Sequence, residues 1–122
     1  MTARGMTLIE VLVAMMIMTV GILGLLTMMA KASQTSMTSD DTQRASTLLN
    51  DAANQMLMVN NVTLPAASLA AWKARVADGT QQGLPSGVGT VTATSGTSAR
   101  ILIKWTPPNG TERQAFTDVQ LN

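Results

Sequence analysis

The chain has 122 residues, enough for one domain, with eight basic and seven acidic residues scattered along it for a net charge of +1. That balance leaves no electrostatic footprint for nucleic acid or an anionic surface, and with no His and no Cys the commonest general base, thiol nucleophile, transition-metal ligands and any disulfide are excluded. One Phe, two Trp and no Tyr argue against a deep aromatic core, while ten Met, many of them in one apolar run, supply much of the hydrophobicity.

That run is the first element. Val11 to Ala30 carries no charge, and as a helix rising about 1.5 Å per residue it spans roughly 30 Å, the thickness of a bilayer's hydrocarbon layer. Arg4 precedes it and Lys31 follows it, so the positive-inside rule keeps the short start inside and translocates the bulk of the chain. A secretory signal peptide fits poorly: the run is about twice the usual apolar length and no small-x-small cleavage site follows. Glu10 stands near the start of the apolar stretch, where a carboxylate costs roughly 2.5 kcal/mol or more and so points to a function and a partner. A plain single-pass anchor accounts for the length but not for Glu10. Snorkelling of the carboxylate to the headgroups is the bland alternative.

The stretch Gly5-Met6-Thr7-Leu8-Ile9-Glu10-Val11-Leu12-Val13-Ala14 resembles the class III leader junction of type IV prepilins and type II secretion pseudopilins. The resemblance implies a leader of residues 1–5, cut after Gly5 by the prepilin peptidase, which then N-methylates the new amino terminus at Met6. Met6 stands where the family most often has Phe. Glu10 then corresponds to the family's glutamate at mature position five, expected to pair with the amine of Met6 on a neighbouring subunit. Physical chemistry suits these roles. Gly5 has no β-carbon to clash in a protease cleft. A free α-amine is mostly charged at neutral pH, and an opposite charge in low dielectric is worth far more than at a surface, so a subunit out of register leaves both charges unpaired.

Farther along, Gly21 and Gly24 each weaken a helix by about 1 kcal/mol relative to Ala. Small residues permit close helix packing, the reading adopted here. In pilins a Gly- or Pro-containing stretch of this region loses helical order on assembly, but here no Pro precedes Pro65. The polar, poorly helix-forming "KASQTSMTSDDTQRAS" reads as frayed or exposed, and its Asp40-Asp41 pair as a solvated face in preference to a Ca²⁺ site. Ala45, Leu48, Leu49, Ala52, Met56 and Val59 then recur at three- and four-residue steps, an amphipathic stripe for packing the head. A helix from Met6 to about Asn60 would measure on the order of 80 Å. Such a length makes sense if its first half packs with copies of itself.

Asn60 and Asn61 suit a C-cap and Pro65 cannot continue the helix. "AASLAAWKARVA", with Leu69, Trp72 and Val76 at helical spacing, predicts a short helix, and "DGTQQGLPSGVG" a loop. "GTVTATS", "ARILIKW" and "QAFTDVQL" read as strands, separated by Ser95-Gly96 and by Pro107-Pro108-Asn109-Gly110, whose Asn-Gly is a hairpin signal. In the second strand Ile101 and Ile103 share one face, Leu102 and Lys104 the other, and Trp105 is a packing anchor. Asn61-Val62-Thr63 and Asn109-Gly110-Thr111 match the glycosylation sequon, a short pattern that recurs by chance. No phosphate loop is present, since "GLPSGVG" lacks a following Lys and helix.

The later segments "STLLNDAANQMLMVNN", "LPSG" and "ILIKWTPPNG" resemble PilV-type minor pilins, with Met56 or Met58, Asn60 or Asn61, Leu84-Pro85 and Trp105 as the matching residues. The expected fold is therefore α+β: a long amino-terminal helix, membrane-spanning in its first half, against a small carboxyl-terminal antiparallel sheet of about three strands. The expected organisation is leader 1–5, membrane and filament-core helix 6–30, amphipathic second half of the helix 31–60, and periplasmic head 61–122. The expected role is a non-catalytic minor pilin of a type IV pilus, bound for the inner membrane and then the cell surface, with no cofactor or metal. The resemblance implies as partners the prepilin peptidase, other minor pilins, the major pilin, the inner-membrane assembly platform and a tip adhesin. Met6-Thr7 also occurs in minor pseudopilins of the GspI type, the second reading, and an uncleaved single-pass protein with a binding head is the third.

Overall fold

The computed structural model describes residues 7–80, 82–108 and 110–122. Helix α1 (Leu8–Val59) is followed by α2 (Ala66–Ala77) and three strands, β1 (Val88–Ala93), β2 (Ser98–Trp105) and β3 (Arg113–Gln120). The strands form one antiparallel sheet in the order β1-β2-β3. This is the α+β, pilin-like architecture expected from the sequence: a long helix with an apolar span, then a small antiparallel sheet. The chain divides after Met37 into an amino-terminal unit and a head unit, Thr38–Asn122.

In the amino-terminal unit every described residue is exposed, including Leu8, Ile17, Leu23 and Met28. By length and composition α1 can cross a membrane. Its hydroxyls are held by the helix itself: Thr19 Oγ1 donates to the Met16 carbonyl (2.8 Å) and Thr27 Oγ1 to that of Gly24 (2.8 Å). The polar stretch after Lys31 is exposed but continuously helical, and the same device operates there. Thr35 donates to the Lys31 carbonyl at 3.0 Å, Thr42 to that of Thr38 at 2.9 Å and Ser46 to that of Thr42 at 3.1 Å. Asp40 pairs with Arg44 one turn on, at 2.7 Å. These bonds occupy the groups that would otherwise compete with helix hydrogen bonding. Asp41, read from the sequence as part of a solvated face, is instead buried, because it lies one turn before Ala45 on the inward stripe.

The head is built on that stripe. Ala45, Leu48, Leu49, Ala52 and Met56 are buried, with Leu64, Trp72, Val76, Leu84, Ala99, Ile101, Ile103, Trp105, Val119 and Leu121. Val59 is half exposed, so the stripe ends at Met56. There the chain turns: Asn60 adopts φ 47°, its N–H bonds to the Leu57 carbonyl (3.2 Å) and the Asn61 N–H to that of Met56 (3.2 Å). This is a Schellman cap with Asn in the left-handed position, as the Asn60-Asn61 pair suggested. Asn61 Oδ1 then accepts from both the N–H and the hydroxyl of Thr63 (each 2.9 Å), so its sequon is a turn.

Helix α2 has the expected bounds and buries Trp72 and Val76. The Trp72 indole donates to the Leu48 carbonyl at 2.9 Å, and Arg75 pairs with Asp51 at 2.6 Å, which ties α2 to α1. In the sheet, Ala99, Ile101, Ile103 and Trp105 face the core while Arg100 and Lys104 face out. Asn109 lies outside the described residues; the Gly110 N–H bonds to the Pro107 carbonyl (2.9 Å), and the β2–β3 connection as a whole runs from residue 106 to 112. The Asn-Gly signal thus marks a hairpin, but not a two-residue one.

Candidate functional site

The sequence concentrates its candidate residues at the amino-terminal end of α1. Gly5 and Met6, the expected cleavage and methylation sites, lie outside the described residues. Thr7 is the first described residue. Its carbonyl accepts from the N–H groups of Glu10 (3.0 Å) and Val11 (3.3 Å), so it acts as the helix N-cap. Glu10 is then the third helical residue, exposed, and the acidic group of the first turn. A carboxylate at that end complements the partial positive charge of the unsatisfied N–H groups. Sequence reasoning missed this second employment of Glu10. The signal was present, because Thr7-Leu8-Ile9-Glu10 has the S/T-x-x-E spacing of a capping box.

Gly21 and Gly24 lie on α1 without interrupting it. A β-carbon built on either meets nothing within 4 Å, so neither glycine is required by packing inside the described chain. The absence of a side chain there leaves backbone open on an exposed apolar helix, the condition for close approach by another helix.

Within the head four ion pairs lie at the surface: Asp40–Arg44, Asp51–Arg75, Arg100–Asp118 and Lys104–Glu112. A groove lined by Asp40, Gln43, Arg44, Thr47, Asp51 and Arg75 holds two such pairs, Asp40–Arg44 and Asp51–Arg75. On the outer sheet face Arg100 holds Asp118 directly across the strands through two bonds of 2.7 Å and lies 4.9 Å over the Phe116 ring. The bonds from Arg100 hold the Asp118 carboxyl below its ordinary range, and the guanidinium is correspondingly raised. Asp78 is lowered by the hydroxyl and the N–H of Thr80, a local turn. Among the described residues no three His, Cys, Asp or Glu side chains gather to hold a metal ion.

Residues 1–26 match the family model described as the prokaryotic N-terminal methylation motif. No curated protein and no solved structure matches the chain. The amino-terminal motif, with the apolar helix that follows it, is that of a type IV pilin-like protein and supports a pilin or pseudopilin subunit.

Proposed function

We propose that the chain is a minor pilin of a type IV pilus, a structural subunit made as an inner-membrane precursor with its head in the periplasm. The prepilin peptidase cleaves it between Gly5 and Met6 and N-methylates Met6. The mature subunit joins other minor pilins and the major pilin at the assembly platform, to prime or cap a filament that serves adhesion and twitching motility. Residues 6–30 form the membrane and filament-core segment, 31–60 the amphipathic half of the helix and 61–122 the head. The observation that carries this reading is the methylation motif over residues 1–26, and the fully exposed apolar α1 segment agrees with it. The Met6-Thr7 start supports the second reading, a GspI-like minor pseudopilin of a type II secretion system.

Glu10 is assigned the salt bridge to the Met6 amine of a neighbouring subunit, and Gly21 and Gly24 close helix packing. Mass spectrometry of the protein from cells with and without the peptidase tests the processing: loss of residues 1–5 with a methylated Met6 is expected, and an intact Met1–Gly5 segment refutes it. Glu10→Ala is expected to insert and be cleaved but to enter filaments poorly, measured by immunoblot of sheared filaments. Normal incorporation removes the proposed role of Glu10. Recovery with pilus components or with secretion components decides between the two readings.

A further inference from the structure

Sulfur is the atom that two-electron oxidants attack in proteins, and this chain carries it only as thioether, with ten Met and no Cys. Two of the ten lie in the head unit, Met56 and Met58. They are two residues apart on α1, a rotation of about 200°, and so point to opposite sides of the helix. Met56 is fully buried and ends the inward stripe. Met58 is 87% exposed, more than any other large apolar side chain among the described residues, those of the exposed apolar run included. Its flanking residues, Leu57 and Val59, are each 51% exposed, so the last turn of α1 presents an apolar strip with a thioether at its centre. The fold makes no use of that side chain: the cap that ends α1 employs the carbonyls of Met56 and Leu57 and the N–H groups of Asn60 and Asn61.

We infer that Met58 is a reversible oxidation site of the head, a thioether that peroxide-class oxidants convert to the sulfoxide while the fold stays intact. The sulfur lone pair attacks one oxygen of hydrogen peroxide. The S–O bond forms, the O–O bond breaks and the second oxygen leaves as water, so the sulfur loses two electrons and the peroxide gains them. In the return step two thiols of a sulfoxide reductase system become a disulfide, and the oxygen leaves as water. The chain has no Cys, so those thiols belong to the reductase system.

Burial separates modification from damage. A sulfoxide at Met56 puts an unpaired polar group into the core, whereas at Met58 the new oxygen meets solvent. Oxidation therefore turns the strip Leu57-Met58-Val59 from apolar to polar at its most exposed point and leaves the inward stripe and the cap as they are. The inference rests on the head alone and holds for a pilin or a pseudopilin alike.

The test treats the full chain in detergent micelles with hydrogen peroxide and follows oxygen uptake by mass spectrometry of its peptides, in which fragmentation at Leu57 tells Met56 from Met58. Met58 should gain one oxygen at least about tenfold faster than Met56, whose sulfur is reached only when the head opens. The thermal midpoint of the head, read by circular dichroism, should move by no more than about 3 °C once Met58 is oxidised. Sulfoxide reductases for the two epimers, supplied with a dithiol, should restore the thioether. Met58→Leu should abolish the fast uptake in the head and leave the slow rate at Met56 as it was. Similar rates at the two methionines overturn the proposal. So do a Met58 that resists peroxide as Met56 does, a cooperative melt lost when Met58 alone is oxidised, and a sulfoxide that the reductases do not repair.

Discussion

Gly89 lies under the six-membered ring of Trp72, and a β-carbon placed on it would sit 2.5 Å from Cζ3 and 2.6 Å from Cη2. A rigid ring in a packed core cannot yield that distance without moving α2. Gly89→Ala is therefore expected to destabilise the head by about 1–3 kcal/mol, read from denaturant unfolding. The two tryptophans make a contrasting pair. Trp72 is fully buried and its N–H is used; Trp105 is 3% exposed and its N–H has no partner among the described residues. An unsatisfied buried donor costs about 1–3 kcal/mol, which offsets part of the ring's burial. Trp105→Phe should thus change stability by less than about 1 kcal/mol, and Trp72→Phe, which also loses the bond to Leu48, should cost clearly more. Equal losses would show that the Trp105 N–H is satisfied in solution.

At the level of elements, the Arg100–Asp118 pair joins β2 to β3 across the solvent face, and acid should loosen it. The Asp118 carboxyl is held below its ordinary value, so its contribution is fully present above about pH 4 and is lost as pH falls through the depressed value. Asp78 adds a contribution of the same sign. Thermal midpoints of wild type and Asp118→Asn, measured from neutral pH down to acid, should converge below about pH 4 as the wild type loses this term. Curves that stay parallel would remove the pair from the acid response. Most elements were legible beforehand: Trp72 and Val76 with their spacing placed α2, and β-branched alternation placed the strands. Residues 31–46 were expected inside the long helix, with their polar stretch frayed or exposed; they are helical without a break and mostly exposed, their hydroxyls bonded one turn back. Of the amino-terminal site, Glu10 was legible as a misplaced charge, whereas its place in the first turn was signalled by the Thr7-to-Glu10 spacing and went unread.

Across the whole molecule, an apolar exposed unit and a small head without disulfides answer different needs. Such a head has little surface to bury, and five of the fifteen buried apolar residues among those described come from α1 itself. The helix that carries the exposed apolar run thus also supplies a third of the core described for the head. Aromatic residues follow the same division. None occurs before residue 38, whereas both tryptophans sit in the head's core, one hydrogen-bonded to a helix carbonyl and one not. The amino-terminal unit is consequently silent in the near ultraviolet. Emission from intact protein in lipid or detergent belongs wholly to the head, so its unfolding can be followed by intrinsic fluorescence with no label and no truncation.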